Sequence, residues 1–183
     1  MKKRTKSQIG KKNRQSGAAF ERKVRADLES KGWVVDRWTN NVEFGQEIDM
    51  SEYGDNRKIF ITNKELEKHI KNNGNFPIKA HYNKIGKLIP AKSRFGLRTT
   101  GFPDFIAIYS FPKIMLGLDG GIFERFKGHA SLVIGVECKS NGYLSKEEKE
   151  KCKWLLENNI FSKILIAKKG KKRGSIEYEE INP

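Results

Sequence analysis

Cysteine is nearly absent: the 183-residue chain has two, Cys138 and Cys152, and they do not form a CxxC pair. That scarcity argues against a disulfide framework or a cysteine-rich zinc site and points to a reducing compartment. The three histidines, His69, His81 and His129, lack metal-ligand spacing. No apolar run approaches the roughly 20 residues of a membrane span, so no membrane partner is expected. The basic N-terminus lacks the apolar stretch of a signal peptide, so the expectation is a protein that is not secreted and works in the cytoplasm, of a host cell or at a nucleoid. Hydrophobic residues make up only 37% of the chain against 32% charged, which suits a small domain with a large polar surface.

Acids are also missing from residues 1–14, "MKKRTKSQIGKKNR", where Lys2, Lys3, Arg4, Lys11, Lys12 and Arg14 stand among the cations. This stretch lacks hydrophobic periodicity and reads as a flexible basic arm. A second cluster, "KKGKKRG", brings Lys168, Lys169, Lys171, Lys172 and Arg173 together. Over the whole chain 37 Lys and Arg face 22 Asp and Glu, a net charge of +15. Such an excess favours a polyanionic partner, DNA first among them, bound through salt-dependent phosphate contacts. Lys92, Arg94 and Arg98 lie in "HYNKIGKLIPAKSRFGLR" (81–98), where aromatic and aliphatic residues separate the charges. That segment reads equally as a nucleic-acid contact or as part of an insertion with its own small core.

Residues 15–183 read as one domain, with residues 39–98 as a polar insertion after the first strand. Ser16 is a plausible N-cap for a helix that ends before Gly32, with Phe20, Val24 and Leu28 as its apolar stripe. "GWVVDRW" (32–38) reads as a strand, and "NKELEKHIK" (63–71) as a modest helix inside the insertion. "GFPDFIAIYS" feeds a strand over 104–109, and a hairpin is expected around "LDGG" (118–121). "VIGVECKSNG" (133–142) is a strand, and Ser145 with Glu148 makes a capping box for a helix over 144–159. Two further strands, 161–169 and 175–180, flank the basic turn. The fold class is therefore α/β, a mixed sheet flanked by helices.

Two charges stand out inside an apolar strand. Alternation sets Glu137 and Lys139 on one face with Val133 and Gly135, and burying either charge alone costs several kcal/mol. Asp104 opens another strand directly after Pro103, which holds the chain extended on entry. If these strands are neighbours, Asp104 and Glu137 converge, and two close carboxylates call for a hard cation such as Mg²⁺ or Mn²⁺ between them. Lys139 would point into the same space, to orient a water or to stabilise charge developing on phosphate. Plainer readings stay open: Glu137 with Lys139 as an exposed ion pair, Asp104 as a turn residue, and Glu21 as a helix charge paired with Arg25.

"GFPD" followed by "ECK" resembles the bipartite PD-(D/E)xK signature of metal-dependent nucleases. "GAAFERKVRADLESKGWVVDR" (17–37) is similar to the opening helix and strand of archaeal-type Holliday junction resolvases, and "YLS" with its helix to the segment after E-x-K in that family. The likeness covers about half the chain. It implies a restriction-endonuclease-like fold and a homodimeric, divalent-metal-dependent endonuclease that resolves branched DNA in recombination or repair. Asp104, Glu137, the backbone carbonyl of Cys138 and Glu21 would hold the metal, with Lys139 beside the nucleophile. The 33 residues between Asp104 and Glu137 and the 39–98 insertion depart from compact resolvases. Where relatives often carry a glutamine in the following helix, this chain has Glu148 or Lys151. The alternatives are a repair, flap or single-strand nuclease of the same superfamily, or a DNA-binding protein without activity.

Overall fold

A computed structural model describes residues 5–49, 57–73, 85–93, 101–110 and 131–181. Two compact units emerge: residues 1–39 with 100–183, and residues 40–99. The expected hairpin at 118–121 lies outside the described residues, as do Lys2, Lys3, Arg4, Arg94 and Arg98.

The larger unit holds a five-stranded mixed sheet in the order β1-β5-β6-β7-β8. Its strands are β1 (Val34–Arg37), β5 (Phe105–Ser110), β6 (Ser131–Cys138), β7 (Lys163–Lys169) and β8 (Ile176–Glu180). All pairs are antiparallel except β6 with β7, where Glu137 lies opposite Ile166. A parallel pair needs a crossover, and helix α3 (Lys146–Glu157) supplies it. Its predicted capping box is present: Ser145 and Glu148 each accept from the other's backbone N–H, at 3.2 and 2.7 Å.

Helix α1 (Lys6–Ser30) corrects the reading of the N-terminus. The helix does not begin at Ser16; Thr5 caps it, and Thr5 with Gln8 closes a capping box eleven residues earlier. The Lys, Gln and Arg residues that follow are good helix formers and need no apolar stripe to adopt the conformation. The stretch expected to be a structureless arm is thus helical from Lys6 and exposed, including Lys11, Lys12 and Arg14. Phe20, Val24 and Leu28 are buried as the periodicity indicates. At the other end Gly32 takes φ +86° and its N–H donates to the Glu29 carbonyl, ending the helix.

The sheet buries both faces. Phe20, Val24 and Leu28 pack with Val35, Phe105, Ala107, Ile134, Val136 and Ala167 on the α1 side. By alternation Gly135 and Glu137 face the other side, where Cys152, Leu155, Phe161 and Ile164 are also buried.

In the second unit β2 (Asn40–Asp49) pairs antiparallel with both β3 (Lys58–Thr62) and β4 (Ile85–Pro90). Helix α2 (Asn63–Asn73) covers the one element expected in this region. Lys92 is exposed here, two residues past β4. Among the described residues no helix is long and apolar enough to cross a membrane.

Candidate active site

Asp104 and Glu137 meet as their strands require. β5 and β6 are antiparallel with Phe105 opposite Val136, so the residue before β5 lies beside the one after Val136. Each carboxylate takes its grip from the other's strand. Asp104 Oδ2 accepts from the Cys138 N–H at 2.9 Å, and Glu137 Oε2 accepts from the Asp104 N–H at 3.1 Å. The pair is held by backbone N–H groups.

The turn before Asp104 is fixed by packing. Phe102 and Pro103 are buried, the peptide between them is cis, and the Pro103 ring lies over Gly135. A Cβ at Gly135 would stand 2.8 Å from Pro103 Cγ and 3.1 Å from a Phe161 ring carbon, so this strand position needs glycine. Trp38 extends the other flank: its backbone N–H donates to the Asp104 carbonyl at 3.1 Å, and its ring meets Phe161 edge-on at 5.1 Å.

Glu137 is only 5% exposed. Burial first, and then the charge of Asp104, pushes its carboxyl up to about 7, against the opposing pull of Lys139. Asp104 is raised too, chiefly by burial, with the charge of Glu21 adding to it and the Cys138 amide working the other way. Two acids that both resist ionisation form a site that a hard cation would relieve.

Lys139 sits between two carboxylates. Its Nζ lies 3.1 Å from Glu137 Oε1 and 2.6 Å from Glu148 Oε1. Burial disfavours its charge, but the Glu148 hydrogen bond and Glu137 outweigh that, so its pKa is raised. Glu148 therefore has two tasks, one oxygen capping α3 and the other holding Lys139. The sequence reading gave Glu148 the cap and, with Lys151, the place where relatives often carry a glutamine; it did not foresee the bond to Lys139, although spacing from Cys152 and Leu155 puts Glu148 on the helix face turned to the sheet. Lys151, 7% exposed, was also missed in its packing: its Nζ pairs with Glu147 at 2.9 Å and lies 6.0 Å from the Phe102 ring centre.

Glu21 is half-buried on α1, which covers the opposite face of the sheet. The alternative reading, a pair with Arg25, does not occur, because Arg25 binds Glu29 at 2.8 Å. Glu21 reaches Asp104 and Cys138 through its charge. Among the described residues no group of three or more His, Cys, Asp or Glu side chains is gathered to hold a metal ion. The two carboxylates remain a fitting donor set for Mg²⁺, which is commonly bound through one or two carboxylates, keeping waters in its other positions. At Cys138 the backbone N–H holds Asp104, a contact that leaves the carbonyl's expected part in holding a metal open. Its thiol is pushed up by burial and by the charges of Asp104 and Glu137, so it is an inert neighbour.

Of the second basic cluster, Lys169, Lys171, Lys172 and Arg173 are exposed around the β7–β8 turn. β7 is parallel to β6, so this turn lies at the end of the sheet where Lys139 emerges. Lys168 is already bound to Glu179 at 2.7 Å and is no free phosphate ligand.

Comparison with protein-family models, with curated proteins and with solved structures finds no match for this chain.

Proposed function

We propose that the chain is a divalent-metal-dependent DNA endonuclease of restriction-endonuclease-like fold that hydrolyses phosphodiester bonds in branched DNA. One observation carries the reading. Asp104 and Glu137, 33 positions apart in sequence, are interlocked through the backbone N–H groups of Cys138 and Asp104, with an ammonium group beside Glu137. A purely structural role gives no return for two adjacent acids raised by burial and mutual repulsion.

Asp104 and Glu137 would hold Mg²⁺ or Mn²⁺, which when bound supplies Lewis-acid polarisation of the phosphate and activation of a water. Every other part belongs to the chain. Lys139, kept charged by Glu148, faces the phosphate oxygens and offsets the negative charge that develops on them. Glu148 fixes the direction of that ammonium because its own backbone is tied into the start of α3. Glu21 adds negative potential behind Asp104 and so strengthens the pull on a cation. Lys11, Lys12 and Arg14 on α1, with Lys169, Lys171, Lys172 and Arg173, supply phosphate contacts that set affinity and not sequence preference. A homodimer presenting two such sites to opposite strands is part of the proposal.

The test is cleavage of a synthetic four-way junction with Mg²⁺, next to flap, single-stranded and linear duplex DNA. Asp104→Asn and Lys139→Ala should abolish or sharply reduce cutting while binding persists in EDTA. Activity untouched by either change would remove the site assignment, and binding without any hydrolysis would leave a DNA-binding protein.

A further inference from the structure

The residues that follow Lys139 build a second feature. Asn141, Gly142, Tyr143 and Leu144 form one wall of an open groove of about 820 Å³, bounded also by α3 and by the β7–β8 edge of the sheet. Ile166 lies in its floor and is the residue opposite Glu137. Residues paired across neighbouring strands share a face, so groove and carboxylates lie on one side of the sheet. The wall begins two residues beyond Lys139, so the groove adjoins the candidate active site.

Tyr143 is 78% exposed, more than any other large hydrophobic residue among those described. It is not on a free tether. Its N–H donates to Asn141 Oδ1 at 3.2 Å, and Gly142 before it takes φ +76° close against the Lys168 side chain. The ring is thus offered to solvent from a defined turn, the arrangement expected of a stacking platform.

The charges of the groove are asymmetric in their engagement. Glu179 and Glu180 are already paired with Lys168 and Lys163, at 2.7 and 3.0 Å, and Glu150 is engaged as well. Lys146 and Lys149 line the groove and make no ion pair among the described residues. With Lys153 they recur at i, i+3 and i+7, one face of α3, separated by about 4.5 and 6 Å along the axis. Lys153 is paired with Glu157 at 3.7 Å, so the cations left unneutralised are Lys146 and Lys149, in the same groove as the Tyr143 ring.

We infer that this groove binds a single unpaired nucleic-acid strand, one base stacked on Tyr143 and its phosphates on Lys146 and Lys149. The inference rests on the nuclease reading in one respect: it assigns unpaired nucleotides beside the bond that is cut. Paired duplex is the poorer occupant because its bases are stacked on one another and offer no free face to a tyrosine. An acidic peptide would meet the lysines but leave the ring unused.

The experiment uses the full chain in EDTA and follows the fluorescence anisotropy of labelled oligo(dT) and of a blunt duplex at physiological salt. Wild type should prefer oligo(dT). Tyr143→Ala should weaken oligo(dT) about tenfold, since stacking is worth about 1–3 kcal/mol per base, and should leave the duplex within about twofold. Tyr143→Phe should keep the wild-type value. Lys146→Gln with Lys149→Gln should lower the salt slope for oligo(dT) by about 1.4, at about 0.7 per phosphate. Equal losses on strand and duplex, no loss at all, or displacement by polyglutamate as effective as by oligo(dT) would each overturn the inference. Because no metal is present, a protein that never cuts DNA yet shows the Tyr143-dependent preference would retain the groove and lose the nuclease. One that cuts without any Tyr143 effect would do the reverse.

Discussion

In the metal-free chain, Glu137→Gln should remove most of the stability that is lost as pH rises. The folded-state carboxyl titrates at about 7, above its ordinary 4.5, so between these values the native protein holds a proton that the unfolded chain releases. Stability from this source is complete below about pH 4.5 and is lost as pH climbs through about 7, the opposite of a salt-bridged acid. A displacement of that size corresponds to about 3 kcal/mol. For a protein of this length that is roughly 6–12 °C in Tm. Glutamine keeps the shape and an acceptor for the Asp104 N–H but cannot ionise. Thermal or urea denaturation in EDTA across this pH range should show wild type falling steeply and the variant much less. Mg²⁺ at a hundredfold over its Kd contributes about 2.7 kcal/mol, enough to offset most of the loss in wild type alone. Parallel pH profiles for the two proteins, or equal stabilisation of both by Mg²⁺, would refute the buried-acid reasoning.

Gly135→Ala should destabilise by about 1–3 kcal/mol in urea denaturation, because the new methyl must displace Pro103 or Phe161 and with them the turn holding Asp104. Glu148→Ala should cost about 1 kcal/mol through the lost cap and should also lower Mg²⁺-dependent cleavage. Glu148→Gln should recover the stability without recovering full activity, because a neutral amide holds the Lys139 ammonium less firmly. Gly10→Ala with Gly17→Ala should stabilise the first turns of α1 by about 1 kcal/mol each, read as increased helical circular dichroism, since a Cβ at either position meets nothing within 4 Å. Replacing Lys11, Lys12 and Arg14 together by Gln should lower the salt slope of duplex binding by about 2.7, at about 0.9 per phosphate.

The elements with two independent signals were legible in the sequence. α3 had both its Ser145–Glu148 box and an apolar face, and β6 and β7 had compact runs of β-branched residues. Asp104 and Glu137 could be placed together because a carboxylate in an apolar strand demands a partner. Elements with a single signal were read less well. In β2, Val42, Phe44, Gln46 and Ile48 do alternate, but with Asn, Gly and acids between them, and the pairing with β3 and β4 depends on contacts that no local window contains. At the N-terminus the absence of an apolar stripe was taken for absence of structure, although Thr5 and Gln8 carry a helix start that needs no core. The engagement of Lys168 by Glu179, and of Arg25 by Glu29 and not Glu21, depends on which rotamers the fold permits, and spacing alone does not decide that.

Because α1 is continuous from Lys6 through its buried segment, everything on its first half is phased to the sheet by helical geometry. The fourteen residues before Phe20 extend about 21 Å along the axis. Adding one residue there would change neither charge nor length appreciably, yet it would swing Lys6, Lys11 and Lys12 around the axis by about 100° relative to Phe20 and Val24. Whatever those cations grip, the molecule meets it at an azimuth set by where its core begins.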